Sequence, residues 1–257
     1  MRSSWRIVSC VWIASVVANA AAKTAWTDIV SEAVDRVSPG QYRAYQVAIQ
    51  EMGLGSYGGW AYDQGYRDRD GWLGGGTLGN QEARLYLADQ LAAMGLEVSI
   101  QGSYKNVVAQ LRGAQRPEEI YIICAHFDTT TFNGERPGGD DNASGTAGVL
   151  EAARVLMQYE PDATVRFIAF NAEEDWMLGS QNYVDSVVVA GNENIVGVLN
   201  LDMILRPGWD RDPLATIDLD IVTDTMQDDC EAWAYTFMGA VATYVPSLVI
   251  DAAAPLG

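Results

Sequence analysis

A single histidine, His126, stands in a chain of 257 residues, so any chemistry that needs an imidazole must be built around it. Acidic residues fall at comparable places along the chain. His126 and Asp128 follow the apolar run Tyr121–Ala125, Glu173 and Glu174 follow Val165–Phe170, and Asp202 closes Val196–Leu201. A fifth piece, Pro137-Gly138-Gly139-Asp140-Asp141-Asn142-Ala143-Ser144-Gly145, carries adjacent carboxylates through a Gly-rich turn into a helix start. One imidazole with several carboxylates suits Zn²⁺ or another first-row divalent ion, and a carboxylate can bridge two ions about 3.5–4 Å apart. Hydrolysis also needs a general base near the activated water, which a Glu beside a ligand Glu can supply. Asp128 can orient the ring of His126 as an outer partner. Asp202 at the end of an apolar strand would be costly without a partner, and paired acids at one rim repel unless a cation relieves them. A lone Glu-Glu pair is ordinary surface and a lone Asp-Asp before a helix is an ordinary cap. Four such features in order at strand ends are poorly explained by coincidence.

The apolar runs must then be strands. Candidates lie at Glu97–Gln101, Asn106–Leu111, Tyr121–Ala125, Val165–Phe170, Val196–Leu201 and Ile217–Val222, with a further strand-like stretch at Ser247–Ile250. Helical spacing marks Asp28–Val37, Gln41–Met52, Ala143–Tyr159, Leu178–Val189 and Gln227–Tyr244, and Asn80 can cap a helix running to Met94 with Gly95 as its stop. Alternating strands and helices predict an α/β, three-layer fold, a mostly parallel central sheet with helices on both faces. In such a sheet ligands bind at the carboxyl ends of the strands, where these acids gather.

Other motifs carry less. Gly53-Leu54-Gly55-Ser56-Tyr57-Gly58 spells G-x-G-x-x-G but follows a helical pattern and opens no helix, so a dinucleotide site is rejected. Asp68-Arg69-Asp70-Gly71 resembles a calcium-loop fragment without the first ligand or the distal Glu, and reads as a solvated loop. Asn142-Ala143-Ser144 is formally a glycosylation sequon, discounted because a glycan would block the crevice. Of three cysteines, Cys124 reads as a small buried hydrophobe and Cys230 as part of an exposed helix face, with no bridge between them.

The net charge of −18 excludes nucleic-acid binding through phosphate contacts. Arg2 and Arg6, the apolar run Ile7–Ala18 and Ala18-Asn19-Ala20 read as a secretory signal peptide over residues 1–20, the apolar run being too short to span a bilayer. The expectation is a secreted or periplasmic product with one domain over 21–257, no stable membrane association, and a monomeric state.

Ala125-His126-Phe127-Asp128, the Pro137–Gly145 turn, Asn171-Ala172-Glu173-Glu174 with Leu178-Gly179-Ser180, and Asn200-Leu201-Asp202-Met203 resemble the successive motifs of the M28 zinc aminopeptidases, in the manner of bacterial leucyl aminopeptidases. The resemblance includes Asn106-Val107-Val108-Ala109 and covers most of the chain after the signal peptide. It implies two zinc ions, with His126 and Asp202 on one, Glu174 on the other and Asp141 bridging both. It further implies Glu173 as general base toward a metal-bound water, Asp128 as the residue steadying His126, and peptides as substrates cleaved at their N-terminal bond. Trp176 and Met177 stand where the family usually has Gly and Leu, which would reshape the rim receiving the first substrate side chain, and Trp176 and Met203 are the expected substrate contacts. The family's last zinc ligand is a His near the C-terminus, and this chain has no second His. The expectation is therefore a C-terminally incomplete chain that holds the first zinc well and the second poorly. On the same scaffold a glutaminyl cyclase or a carboxypeptidase is the alternative, and a non-catalytic metal- or peptide-binding relative is the rival from outside enzymology.

Overall fold

The structure is a computed structural model that describes residues 26–54, 67–71, 76–130, 135–205, 216–219 and 227–252, the backbone alone in 216–219, 227–232 and 249–252. The expected signal peptide, Cys10 and most of the G-x-G-x-x-G motif lie outside the described residues, as does the side chain of Cys230. Among the described residues no helix is long and apolar enough to cross a membrane.

Five strands, β1 (Glu97–Gln101), β2 (Asn106–Leu111), β3 (Arg116–His126), β4 (Ala163–Phe170) and β5 (Asn194–Asn200), form one sheet in the order β1-β2-β4-β3-β5. The two-residue period of β3 sends Ile120, Ile122 and Cys124 to one face and Ile123 and Ala125 to the other. β3 pairs in parallel with both β4 and β5, while β1–β2 and β2–β4 are antiparallel. The sheet is thus mixed, parallel where the site forms and antiparallel on the β1 side.

Register brings the acidic residues together. His126 lies opposite Phe170 and Cys124 opposite Asn200. Two hydrogen bonds just past these strand ends, Phe127 N to Phe170 O at 2.9 Å and Leu201 N to Cys124 O at 2.8 Å, keep the three chains level. Asp128, Glu173 and Asp202 therefore leave the sheet along one rim.

One face is covered by α2 (Pro39–Gln50), α3 (Leu78–Ala93) and α4 (Ala143–Leu156), whose Ile49, Leu87, Leu91 and Leu150 pack with Val107 and Phe167. The other face, with Ile120, Ile122, Cys124 and Ile168, is closed by Tyr183 and by Val187 and Val188. These belong to α5 (Leu178–Tyr183) and a π-helical turn, Val184–Val189, into which it runs. The helix expected over Leu178–Val189 is thus split by a change of helical type, and α4 stops at Leu156 short of Tyr159.

Asn80 is not a cap. α3 begins at Leu78, and the Thr77 hydroxyl accepts from Asn80 N at 3.3 Å, which frees the Asn80 side chain for another task.

The chain divides into two compact units. All the elements above belong to Val37–Leu205. Among the described residues, the second unit joins 26–36 with 216–219 and 227–252. It contains α1 (Asp28–Asp35), β6 (Thr216–Leu219), α6 (Gln227–Tyr244) and β7 (Val249–Ala252). β6 and β7 pair in parallel across α6, the topology that a helical crossover permits. Thr27 N donates to the Tyr244 hydroxyl at 2.8 Å, and the Trp26 and Tyr244 rings lie 5.0 Å apart.

Candidate active site

His126, 4% exposed, turns its Nε2 toward three carboxylates: Asp141 Oδ1 at 3.2 Å, Asp202 Oδ1 at 3.6 Å and Glu173 Oε2 at 4.0 Å. Its other nitrogen, Nδ1, faces Asp128 Oδ1 at 3.5 Å. His126, Asp141 and Asp202 each offer one ligand atom, all within 4.8 Å of one another. The residues of β3, of the turn before α4 and of the end of β5 thus converge on one point.

Asp128, wholly buried, does more than face the imidazole. Its Oδ1 accepts from Glu173 N and its Oδ2 from Glu174 N, both at 3.1 Å. One carboxylate therefore ties the end of β3 to the segment that carries both glutamates.

The turn holding Asp141 is fixed from two sides. The Asp141–Asn142 peptide bond is cis, and Asn142 caps α4, its Oδ1 accepting from Gly145 N at 2.8 Å while its Nδ2 donates to Leu201 O at 3.0 Å. With its side-chain amide engaged and buried, Asn142 offers nothing to a glycan. Gly145 allows this approach, since a Cβ there would collide with the Leu201 carbonyl.

From the other side comes Arg69, which is fully buried. Its guanidinium donates to Phe127 O (2.7 Å), Ile49 O (3.1 Å), Pro137 O (2.6 Å) and Gly138 O (3.1 Å), joining the residue after His126 to the Gly-rich turn and to α2. The expected solvated loop at Asp68–Gly71 is in fact a buried brace, with Asp68 7% and Arg69 0% exposed. The charge pattern suggested a surface loop. A buried guanidinium satisfied by backbone carbonyls leaves no partner motif in sequence.

The electrostatics follow from crowding. Burial works to depress the His126 pKa, but contact with Asp128, Asp141 and Asp202 carries it well above the ordinary imidazole value. The contact with His126 holds the Asp141 carboxyl low against its own burial. Glu174 is pushed up to about 7 by burial, and then by the charge of Asp141. Burial lowers Arg69 to about 10, which leaves it charged at neutral pH.

Residues 106–247, more than half of the chain, match the profile of Peptidase family M28. The chain belongs to peptidase family M28. Relatives within reach include a probable zinc metalloprotease of Pyrenophora teres f. teres, 40% identical over 103 residues, which cover 38% of this chain and 22% of that protein. The aminopeptidase YwaD of Bacillus subtilis is 39% identical over 100 residues, 39% of this chain and 21% of that one. The chain thus spans about a fifth of the length of these curated relatives. Among solved structures, the LapA aminopeptidase of Legionella pneumophila superposes with a TM-score of 0.66 at 20% identity, over 87% of this chain and 56% of that one. At that identity the likeness speaks to the fold.

Within this M28 chain the donor set suits zinc. One imidazole and two carboxylates share a centre, and a buried atom there, Asp202 Oδ1, has no hydrogen-bond partner. Glu174 stands on the same rim, close enough to be raised by Asp141, yet outside the three-residue group. The expected substrate contacts sit beside these acids in sequence and are open to solvent, Trp176 at 85% and Met203 at 39%. Both hold left-handed backbone, with φ of 64° and 49°.

Proposed function

We propose that this chain carries the metal-binding core of a secreted zinc aminopeptidase acting on peptides with a free N-terminus. The convergence of His126, Asp141 and Asp202 on one point, with Glu173 beside them, is the observation that carries the reading. His126, Asp141 and Asp202 would hold one zinc. Asp141 and Glu174 would supply the carboxylates for a second, which would lack an imidazole in this chain because His126 is the only one. Zinc, when bound, supplies a Lewis acid that polarises the scissile carbonyl and lowers the pKa of water.

The protein's own part is positioning and proton transfer. Asp128 holds the imidazole and, through the Glu173 and Glu174 amides, aims both glutamates at the rim. Glu173, 26% exposed, can take a proton from the attacking water and return it to the leaving amine. Trp176 and Met203 offer apolar surface for the first side chain of the substrate. Export is supported by Arg2, Arg6 and the apolar run Ile7–Ala18 ahead of Ala18-Asn19-Ala20.

The test is metal analysis joined to turnover. The chain should bind about one zinc tightly. Activity, where present, should favour leucine p-nitroanilide over N-blocked peptides and N-terminal glutamine, and Glu173→Gln should lower it about 100-fold or more without changing zinc content. Zinc bound with no turnover of any substrate would favour the non-catalytic reading, for which the single His is the specific support. Failure to bind zinc at all would sink both.

A further inference from the structure

We propose that three buried asparagines, Asn80, Asn106 and Asn171, act together as the positioning device for the segment that carries Glu173 and Glu174, an inference that rests on those glutamates being functional. All three are 0% exposed, and they come from separate elements: the first turn of α3, the start of β2 and the residue after β4.

Asn106 holds both ends of the segment. Its Oδ1 accepts from Asn171 N at 3.0 Å, while its Nδ2 donates to Gly179 O at 2.9 Å and to Gln101 Oε1 at 2.7 Å. Asn80 and Asn171 exchange hydrogen bonds through their side-chain amides, Asn80 Nδ2 to Asn171 Oδ1 at 2.7 Å and Asn171 Nδ2 to Asn80 Oδ1 at 3.3 Å. Asn80 also donates to Arg69 O, and Asn171 to Tyr104 O, both at 2.9 Å. The network therefore reaches from the Arg69 brace to the first turn of α5. Gly179 leaves room for it, because a Cβ there would collide with the Asn171 carbonyl and lie 2.7 Å from Asn106 Oδ1.

The segment needs such external support. Between Asn171 and Gly179 three non-glycine residues hold left-handed backbone, Ala172 (φ 54°), Trp176 (φ 64°) and Met177 (φ 60°). Each such residue is unfavourable and persists only where its surroundings over-determine it. Asp128 fixes the middle through the Glu173 and Glu174 amides, and the asparagines fix the ends. Asn106 spends its hydrogen bonds on both ends of one strained segment, and the Asn80–Asn171 pair ties the first of those ends to the Arg69 and Tyr104 carbonyls.

Hydrogen exchange on the metal-free chain tests this without reference to zinc or peptidase activity. Asn106→Asp is isosteric and keeps the acceptor for Asn171 N, but sets an oxygen against the Gly179 carbonyl. We expect the amides of residues 172–178 to exchange about tenfold faster or more, with Ile122 and Phe167 in the sheet within about twofold of the parent. If Asn106→Asp does not fold, Asn80→Ala, in which α3 keeps its Thr77 cap, carries the same comparison. Unchanged exchange in 172–178 overturns the proposal, and so does equal acceleration in segment and sheet, which would mark general loosening. Local acceleration with both zinc binding and turnover unaltered would leave the positioning intact and count against a functional role for Glu173 and Glu174.

Discussion

Asp128→Asn tests whether one buried carboxylate organises the site. The aspartate accepts two amides, from Glu173 and Glu174, and faces His126 Nδ1, with no exposed surface. An asparagine has one acceptor oxygen in place of two. If its oxygen stays toward His126 and Glu173, the Glu174 amide meets a donor and loses a hydrogen bond to a charged group, worth about 1.5–3 kcal/mol of stability. An outer partner of a ligand histidine is worth about 10–100-fold in metal affinity, or about 1.4–2.7 kcal/mol. The two effects have opposite pH trends. The carboxylates raise His126 above its unfolded pKa, so its share of stability is fully present below about 6.5 and is lost as pH rises through the folded value. Asparagine forfeits that share, so the metal-free variant should fall furthest behind the parent at pH 6. Zinc competes with the same proton, and asparagine weakens the competitor, so the affinity penalty should be largest at pH 8 and shrink toward pH 6. Chelator competition at both pH values, with thermal melts in EDTA, measures both. Affinity within twofold of the parent at pH 8, in a folded variant, would refute the claim that Asp128 orients His126.

Arg69→Met leaves four backbone carbonyls without their donor and should cost about 3 kcal/mol or more in denaturant unfolding; a loss below about 1 kcal/mol would mean that the brace is dispensable. Glu174, raised to about 7, keeps in the folded chain a proton that the unfolded chain releases near 4.5, so metal-free stability should decline as pH rises through that window. Glu174→Gln should flatten its part of the decline, and melts from pH 4.5 to 8 in EDTA would show whether it does. Trp176→Gly relieves a left-handed residue and removes an exposed ring. It should raise the melting temperature slightly while weakening a leucine-based inhibitor several-fold, and unchanged inhibitor affinity would take Trp176 out of the substrate site.

Much of this was legible in residues alone, for definable reasons. β1 and β2 fall at Glu97–Gln101 and Asn106–Leu111 as read, because short apolar runs bounded by turn residues mark their own ends. The acids stood out because carboxylates that close apolar strands are costly unless partnered. The short connection over residues 102–105 allows β1 and β2 only an antiparallel pairing, whereas β2 and β4 are distant in sequence and nothing local in the residues records their antiparallel direction. Asn80 was misread because an Asn before a helical pattern is a good cap, and only tertiary contacts reveal that Thr77 already serves. Arg69 and the asparagines share a deeper obscurity. Their partners are mainly backbone carbonyls and amides, which every residue possesses, so no pattern of residue types records them.

The charge of the site sets protons and a metal ion in competition. Asp128, Asp141, Asp202 and Glu173 lie within about 4 Å of one imidazole, in a chain whose net charge is already −18. Left ionised, such a group would drive the strand ends apart. Instead the metal-free site favours protons, on His126 through its three carboxylate contacts and on Glu174 through burial. Those protons stand where a divalent cation's charge is wanted, so metal binding becomes an exchange, each proton displaced making affinity about tenfold stronger per pH unit. A scaffold held rigid by Arg69 and the asparagines can hold this crowding in either state, because its hydrogen bonds do not depend on which cation neutralises the acids.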